Sequence, residues 1–145
     1  MSKSYKLKGD NYIDSSSIVH NQNILEDELN NISWVDKSSE LVLDQDTQAS
    51  RTKLFINKRL RLVYLQIRYF ANINNVEKEN IVSFPLEYAP KPGSDDVVWF
   101  PFIPSSGGNQ IGRGVILVKN NKCQVNCLCI GGNLTYPYGY IVYPY

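Results

Sequence analysis

The alternation of hydrophobic and polar positions changes character near residue 53. Beyond it, Val63, Leu65, Ile67, Tyr69 and Ala71 share one parity, and Tyr64, Gln66, Arg68 and Asn72 share the other. That period of two is the signature of a strand with one face buried. Leu54-Phe-Ile56 precedes it, and Asn57-Lys58 reads as the turn of a hairpin. The segment 72–79 reads as a loop, and a strand at 81–84 stops at Pro85. Pro90, Pro92 and Gly93 enforce an irregular excursion. A strand at 97–100 runs into Pro101 and Pro104, which place it at a sheet edge or a kink. Runs at 111–118 and 123–130 flank Lys119-Asn-Asn-Lys122. Asn tolerates positive φ, so that tetrapeptide predicts a tight hairpin. Gly131-Gly-Asn133 is a second turn, and 141–143 is the last strand. Seven or so short strands at this spacing predict a mainly β fold, an antiparallel sandwich or jelly-roll-like domain over 53–145.

The first fifty residues follow another pattern. Residues 1–22 are polar and irregular, with sparse anchors at Tyr5, Leu7, Tyr12, Ile13, Ile18 and Val19. These are too few for a core, so the segment reads as disordered or as an extended arm across a partner. A short helix follows. Asn23 caps it, Glu26 stands three residues on, and Leu25, Leu29 and Ile32 form a narrow stripe beside Ile24. About ten residues of helix need support from elsewhere. A short trimeric stalk is one reading, and packing on the following domain or on another protein is the other. Residues 1–35 are therefore assigned to an arm and helix, 36–52 to a polar linker, and 53–145 to the β domain.

Composition narrows the function. The chain of 145 residues is 43% hydrophobic, 12% aromatic and 20% charged, with 10 Tyr. That supports one folded domain with an appendage and leans toward β structure. The net charge of +1 argues against nucleic acid as a partner. Lys53, Lys58, Arg59, Arg61 and Arg68 cluster, but they read as a solvated strand face. No apolar run approaches the length of a membrane-spanning helix, so no membrane insertion is expected.

Candidate chemistry is sparse. Cys123, Cys127 and Cys129 share one strand face, where neighbours are poorly placed to bridge one another. Their odd number, with no signal peptide, points to reduced thiols and synthesis in the cytoplasm. His20 stands alone in the arm, so no metal site, no cofactor and no Ser-His-Asp or Cys-His catalytic site is expected. Asp95-Asp96 and Glu77/Glu79 are carboxylate pairs in loops, and a small hydrolase would need such a pair across a cleft. Solvated loop charge is the plainer reading, and the chain is not expected to be an enzyme. Gly107-Gly108 and Gly112-Arg-Gly114 lack the strand–helix context of a phosphate loop. The C-terminal run is more suggestive. Tyr136, Tyr138 and Tyr140 alternate with Pro137 and Gly139. Such rings either pack in a core or at an oligomer axis, or present faces on which sugars stack. With Trp99 and the flexible loop ending at Asn109, they are the candidate ligand-binding residues.

Two regions resemble phage tail-fibre or receptor-binding proteins. Ser4-Tyr-Lys-Leu-Lys-Gly9, Tyr12-Ile-Asp-Ser-Ser-Ser-Ile-Val-His-Asn21 and the helix after them are similar to an N-terminal attachment module. The order from the alternating strand through Phe84-Pro85, Tyr88-Ala-Pro90, Trp99-Phe-Pro101 and Gly112-Arg-Gly114 to the aromatic end is similar to fibre-tip heads. The resemblance implies a virion location, a homotrimer, and a host-surface saccharide or protein as ligand. It places attachment to other virion structural proteins on Tyr12, Ile13, Ile18 and Val19, and oligomer contacts on Leu25, Leu29 and Ile32. No long shaft is present. A capsid-decorating head fibre without a receptor role, or a free carbohydrate-binding module, are the alternatives.

Overall fold

The structure, a computed structural model, describes residues 4–6, 12–14, 22–24, 33–74, 77–90, 97–105, 110–129 and 132–145. The chain divides into two compact units, Met1–Ser33 and Trp34–Tyr145. In the first, β1 (Ser4–Lys6) pairs antiparallel with β2 (Tyr12–Asp14), with Tyr5 opposite Ile13. The arm is thus not wholly irregular. Aromatic and β-branched residues there find strand partners within the arm itself. Residues 22–24 are helical, and Ile24 is exposed. Ile18, Val19, Leu25, Leu29 and Ile32 lie outside the described residues.

The second unit is mainly β, and every strand pair in it is antiparallel. Its strands are β3 (Val35–Asp36), β4 (Val42–Leu43), β5 (Lys53–Asn57), β6 (Leu62–Arg68), β7 (Asn72–Asn74), β8 (Glu77–Pro85), β9 (Val98–Phe102), β10 (Gly112–Lys119), β11 (Lys122–Leu128), β12 (Asn133–Thr135) and β13 (Tyr138–Pro144). One sheet has the order β4-β8-β11-β10-β9, another β13-β6-β5-β3, and β12 pairs with β7 beside them. The arrangement is sandwich-like, as the alternation predicts. Leu54, Ile56, Val63, Leu65 and Ile67 of one sheet share a core with Phe84, Phe100, Phe102, Ile116 and Val125 of the other. Each such side chain contributes about 1.5–3 kcal/mol by leaving water.

At one margin the two sheets join directly. Ile103, just past β9, and Tyr138, at the start of β13, exchange backbone hydrogen bonds of 2.8 and 2.9 Å. Gly139 makes this approach possible. A Cβ there would lie 2.9 Å from the Pro101 carbonyl oxygen and 3.1 Å from Phe100 Cε2.

The opposite margin is closed by the segment expected to be a linker. Residues 36–52 carry β3 beside β5 and β4 beside β8, together with 3-10 turns at Ser38–Glu40 and Ala49–Arg51. Ser38 Oγ accepts from Leu54 N at 3.0 Å, Thr47 Oγ1 donates to the Ile81 carbonyl at 2.7 Å, and Thr52 Oγ1 accepts from Arg68 N at 3.2 Å. Short polar side chains thus satisfy strand edges that would otherwise stay open, which is why so polar a stretch belongs to the fold.

Three further local features depart from or refine the sequence pattern. Residues 72–79 are not a loop throughout, because β7 finds a partner in β12. Strand β8 starts at Glu77 and slips register against β11, where Val82 faces Val125 but Lys78 faces Cys127. Asn80 adopts φ 53 there, and the buried Asn126 holds the slip by accepting from Asn80 N and donating to Glu77 Oε1, both at 2.9 Å. The Asn120-Asn121 turn has φ of 53 and 60, as a tight hairpin between β10 and β11 demands.

Candidate binding face on the four-stranded sheet

Strand β13 lies against β6 in a register that sets Tyr138 opposite Arg68, Tyr140 opposite Gln66 and Val142 opposite Tyr64. Strand β5 then sets Lys53 opposite Gln66 and Phe55 opposite Tyr64. The alternate residues Gly139 and Tyr143 of β13, and Val63, Leu65 and Ile67 of β6, are buried. Tyr138, Tyr140, Gln66 and Arg68 consequently stand on the outer face, because side chains alternate along a strand.

Arg51, Tyr64, Gln66, Ile67, Arg68, Tyr138 and Tyr140 line an open groove of about 420 Å³ on that face. Its side chains are held in place by one another. Arg68 Cζ lies 5.2 Å from the centre of the Tyr138 ring, a cation–π contact that fixes both groups. The Tyr64 hydroxyl donates to Gln66 Oε1 at 2.9 Å, and Gln66 Nε2 donates to the Arg51 carbonyl at 3.1 Å. Phe55 packs beside Tyr64 with 6.0 Å between ring centres. Arg68 Nε is buried and has no hydrogen-bond partner. Among the described residues no carboxylate pairs with Arg51 or Arg68. The groove thus offers one exposed ring, a second ring fixed by a guanidinium, a third tied by its hydroxyl to Gln66, and two positive charges.

The sequence-predicted ligand residues separate. Tyr140 is 62% exposed and Tyr138 half-buried, and both line the groove. Trp99, 56% exposed, lines a different hollow with Pro101, Ile111 and Arg113. Tyr136 is not among the groove-lining residues. Its backbone adopts φ 45 just before β13, and its ring meets Phe70 edge-on at 6.1 Å. Asn109 lies outside the described residues. Of the other C-terminal tyrosines, Tyr143 is core. Its hydroxyl donates to the Tyr88 carbonyl at 2.8 Å, and burial drives its ionisation far above the ordinary tyrosine range. The sequence pattern leaves Arg51 and Gln66 off the candidate set, although the polar parity of Gln66 and Arg68 was visible. Only the pairing of β13 with β6 turns that parity into a candidate site.

Cys123 and Cys127 face the core together, as parity predicts, and burial pushes both thiols up to about 12. Buried protonated thiols are poor nucleophiles and poor metal ligands. Among the described residues no cluster of three or more His, Cys, Asp or Glu side chains is placed to hold a metal ion. No helix among them is long and apolar enough to cross a membrane.

No family model matches the chain, and no curated protein or solved structure matches it. The likeness to phage fibre proteins therefore rests on the sequence pattern alone.

Proposed function

We propose that the Trp34–Tyr145 unit is a saccharide-binding head of a virion fibre, attached to the particle through the Met1–Ser33 unit and working as a homotrimer. The observation that carries the binding reading is the pair Tyr138 and Tyr140, set outward on a rigid sheet beside Arg68 and Gln66. Sugar rings have an apolar face that stacks on tyrosine and a rim of hydroxyls that hydrogen-bonds to planar polar groups. A flat, open groove suits a weak single site that several copies on one particle would multiply. The virion assignment draws on the resemblance of the attachment arm and of the element order.

The test is adsorption of the purified protein to candidate host cells and to immobilised glycans, wild type against Tyr140→Ala. Tyr140 is largely exposed, so the variant should keep its circular dichroism and lose binding. Equal binding by a folded variant would place the ligand elsewhere. Light scattering tests the trimer, and a monomeric mass at micromolar concentration would overturn it.

A further inference from the structure

The groove does not end at Tyr138 and Tyr140. Both side chains also line a hollow of about 210 Å³ with Pro101, Ile103 and Gly139, on the far side of β13. Pro101 in turn lines the hollow of about 360 Å³ that holds Trp99, Ile111 and Arg113. The three hollows share lining residues and follow one another across the strands, over the seam where β13 meets β9, and are taken together as one trough. The register gives the order along it. Arg113 of β10 faces Pro101 of β9, Ile103 bridges to Tyr138, and Tyr138 faces Arg68 of β6. From the level of β5, where Arg51 enters, to β10 is four strand-to-strand steps of about 4.8 Å, on the order of 19 Å. That length takes several sugar rings in a row.

The charge along the trough has one sign. Its linings contain Arg51, Arg68 and Arg113 and no Asp or Glu. None of the three arginines pairs with a carboxylate among the described residues. Against a second copy of the same face, these arginines would oppose one another, which disfavours self-association there. Tyr138 and Tyr140 stand two residues apart on β13 and Trp99 is exposed on β9, so aromatic side chains lie on both sides of the seam.

We propose that the ligand of this face is an extended, carboxylate-bearing polysaccharide laid across the β13–β9 seam. Arg51 and Arg68 neutralise acidic residues at one end of the chain and Arg113 at the other. The proposal rests on the saccharide reading above and adds the charge, length and path of the ligand.

The experiment uses the full chain immobilised on a sensor surface. The probes are polygalacturonate, hyaluronate and polysialate, each with its carboxyl-reduced neutral counterpart, followed by sized oligomers, from dimer to octamer, of any polymer retained. At least one acidic polymer should bind, its reduced form should not, and affinity should rise with length until the trough is filled. Arg113→Gln, at an exposed position, should weaken the octamer about fivefold, as loss of one exposed ion pair would, and leave the dimer unchanged. If reduced polymers or neutral glycans bind as well as acidic ones, this inference falls while the saccharide reading stands. If no saccharide binds in any form, both fall. Affinity that is independent of length, or a folded Arg113→Gln that binds every oligomer normally, removes the long trough. Retention of single-stranded DNA in place of all the polysaccharides would assign the charge to another polymer and overturn the proposal.

Discussion

Replacing Gly139 by Ala tests the seam on which the proposed binding face depends. The added Cβ would sit 2.9 Å from the Pro101 carbonyl oxygen, 3.1 Å from Phe100 Cε2 and 3.2 Å from Phe102 Cδ1. The first contact is with backbone, which cannot rotate aside, and Phe102 is fully buried. Strand β13 must therefore shift away from β9, straining the paired hydrogen bonds between Ile103 and Tyr138. Overpacking of this kind costs about 1–3 kcal/mol. Against it stands the entropy that Ala removes from the unfolded chain, about 0.4–1 kcal/mol in favour of folding. The backbone at Gly139 is not in the left-handed region, so no conformational strain adds to the balance. The net expectation is a loss of about 1–2 kcal/mol, a fall in Tm of roughly 4–8 °C for a domain of this size. Urea unfolding followed by tryptophan fluorescence and circular dichroism measures it. Gly139→Ala should also weaken saccharide binding more than its stability loss explains, because Tyr138 and Tyr140 flank the shifted residue. An unchanged or raised midpoint would show that the sheets are not in close contact at this margin, and the continuous trough would go with it.

Three further outcomes follow from the same structure. Tyr143→Phe leaves the Tyr88 carbonyl without its 2.8 Å donor inside the core and should cost about 1–3 kcal/mol in urea titration; a neutral effect would refute that bond. Asn121→Val puts a β-branched residue at φ 60 and should destabilise the β10–β11 hairpin by about 1–2 kcal/mol, read as a lower thermal midpoint, whereas Asn121→Gly should be tolerated. Cys123 and Cys127 are raised by burial from an ordinary 9.0 to about 12, so the folded state holds protons that the unfolded chain releases. Their stabilisation is complete below pH 9 and is lost as pH rises toward 12, by about 1.4 kcal/mol per pH unit for each thiol; flat stability between pH 8 and 10.5 would contradict this.

The sequence alone determined the fold class, because period-two alternation and turn chemistry are local properties. Val63 to Tyr69, the Asn120-Asn121 turn and the edge prolines of β9 all carry their structural outcome in a few adjacent residues. The inward face of Cys123 and Cys127 follows from the same parity. Whatever depends on long-range pairing emerges only in the folded chain. Residues 36–52 look like a linker until Thr47 and Thr52 meet strand edges far along the chain. Residues 72–74 look like a loop until β12 arrives beside them. The candidate binding face shows the difference most directly. Tyr138 and Tyr140 were visible as an aromatic alternation, but nothing local distinguishes a ring that packs in a core from one that faces outward. The outcome was set by Gly139, whose missing side chain lets β13 close against β9 and turns its neighbours out. It was set equally by the β13–β6 register, which brings Arg68 and Gln66 beside those rings. A register joins residues some seventy positions apart, and its energy comes from the whole core. No window of sequence contains it.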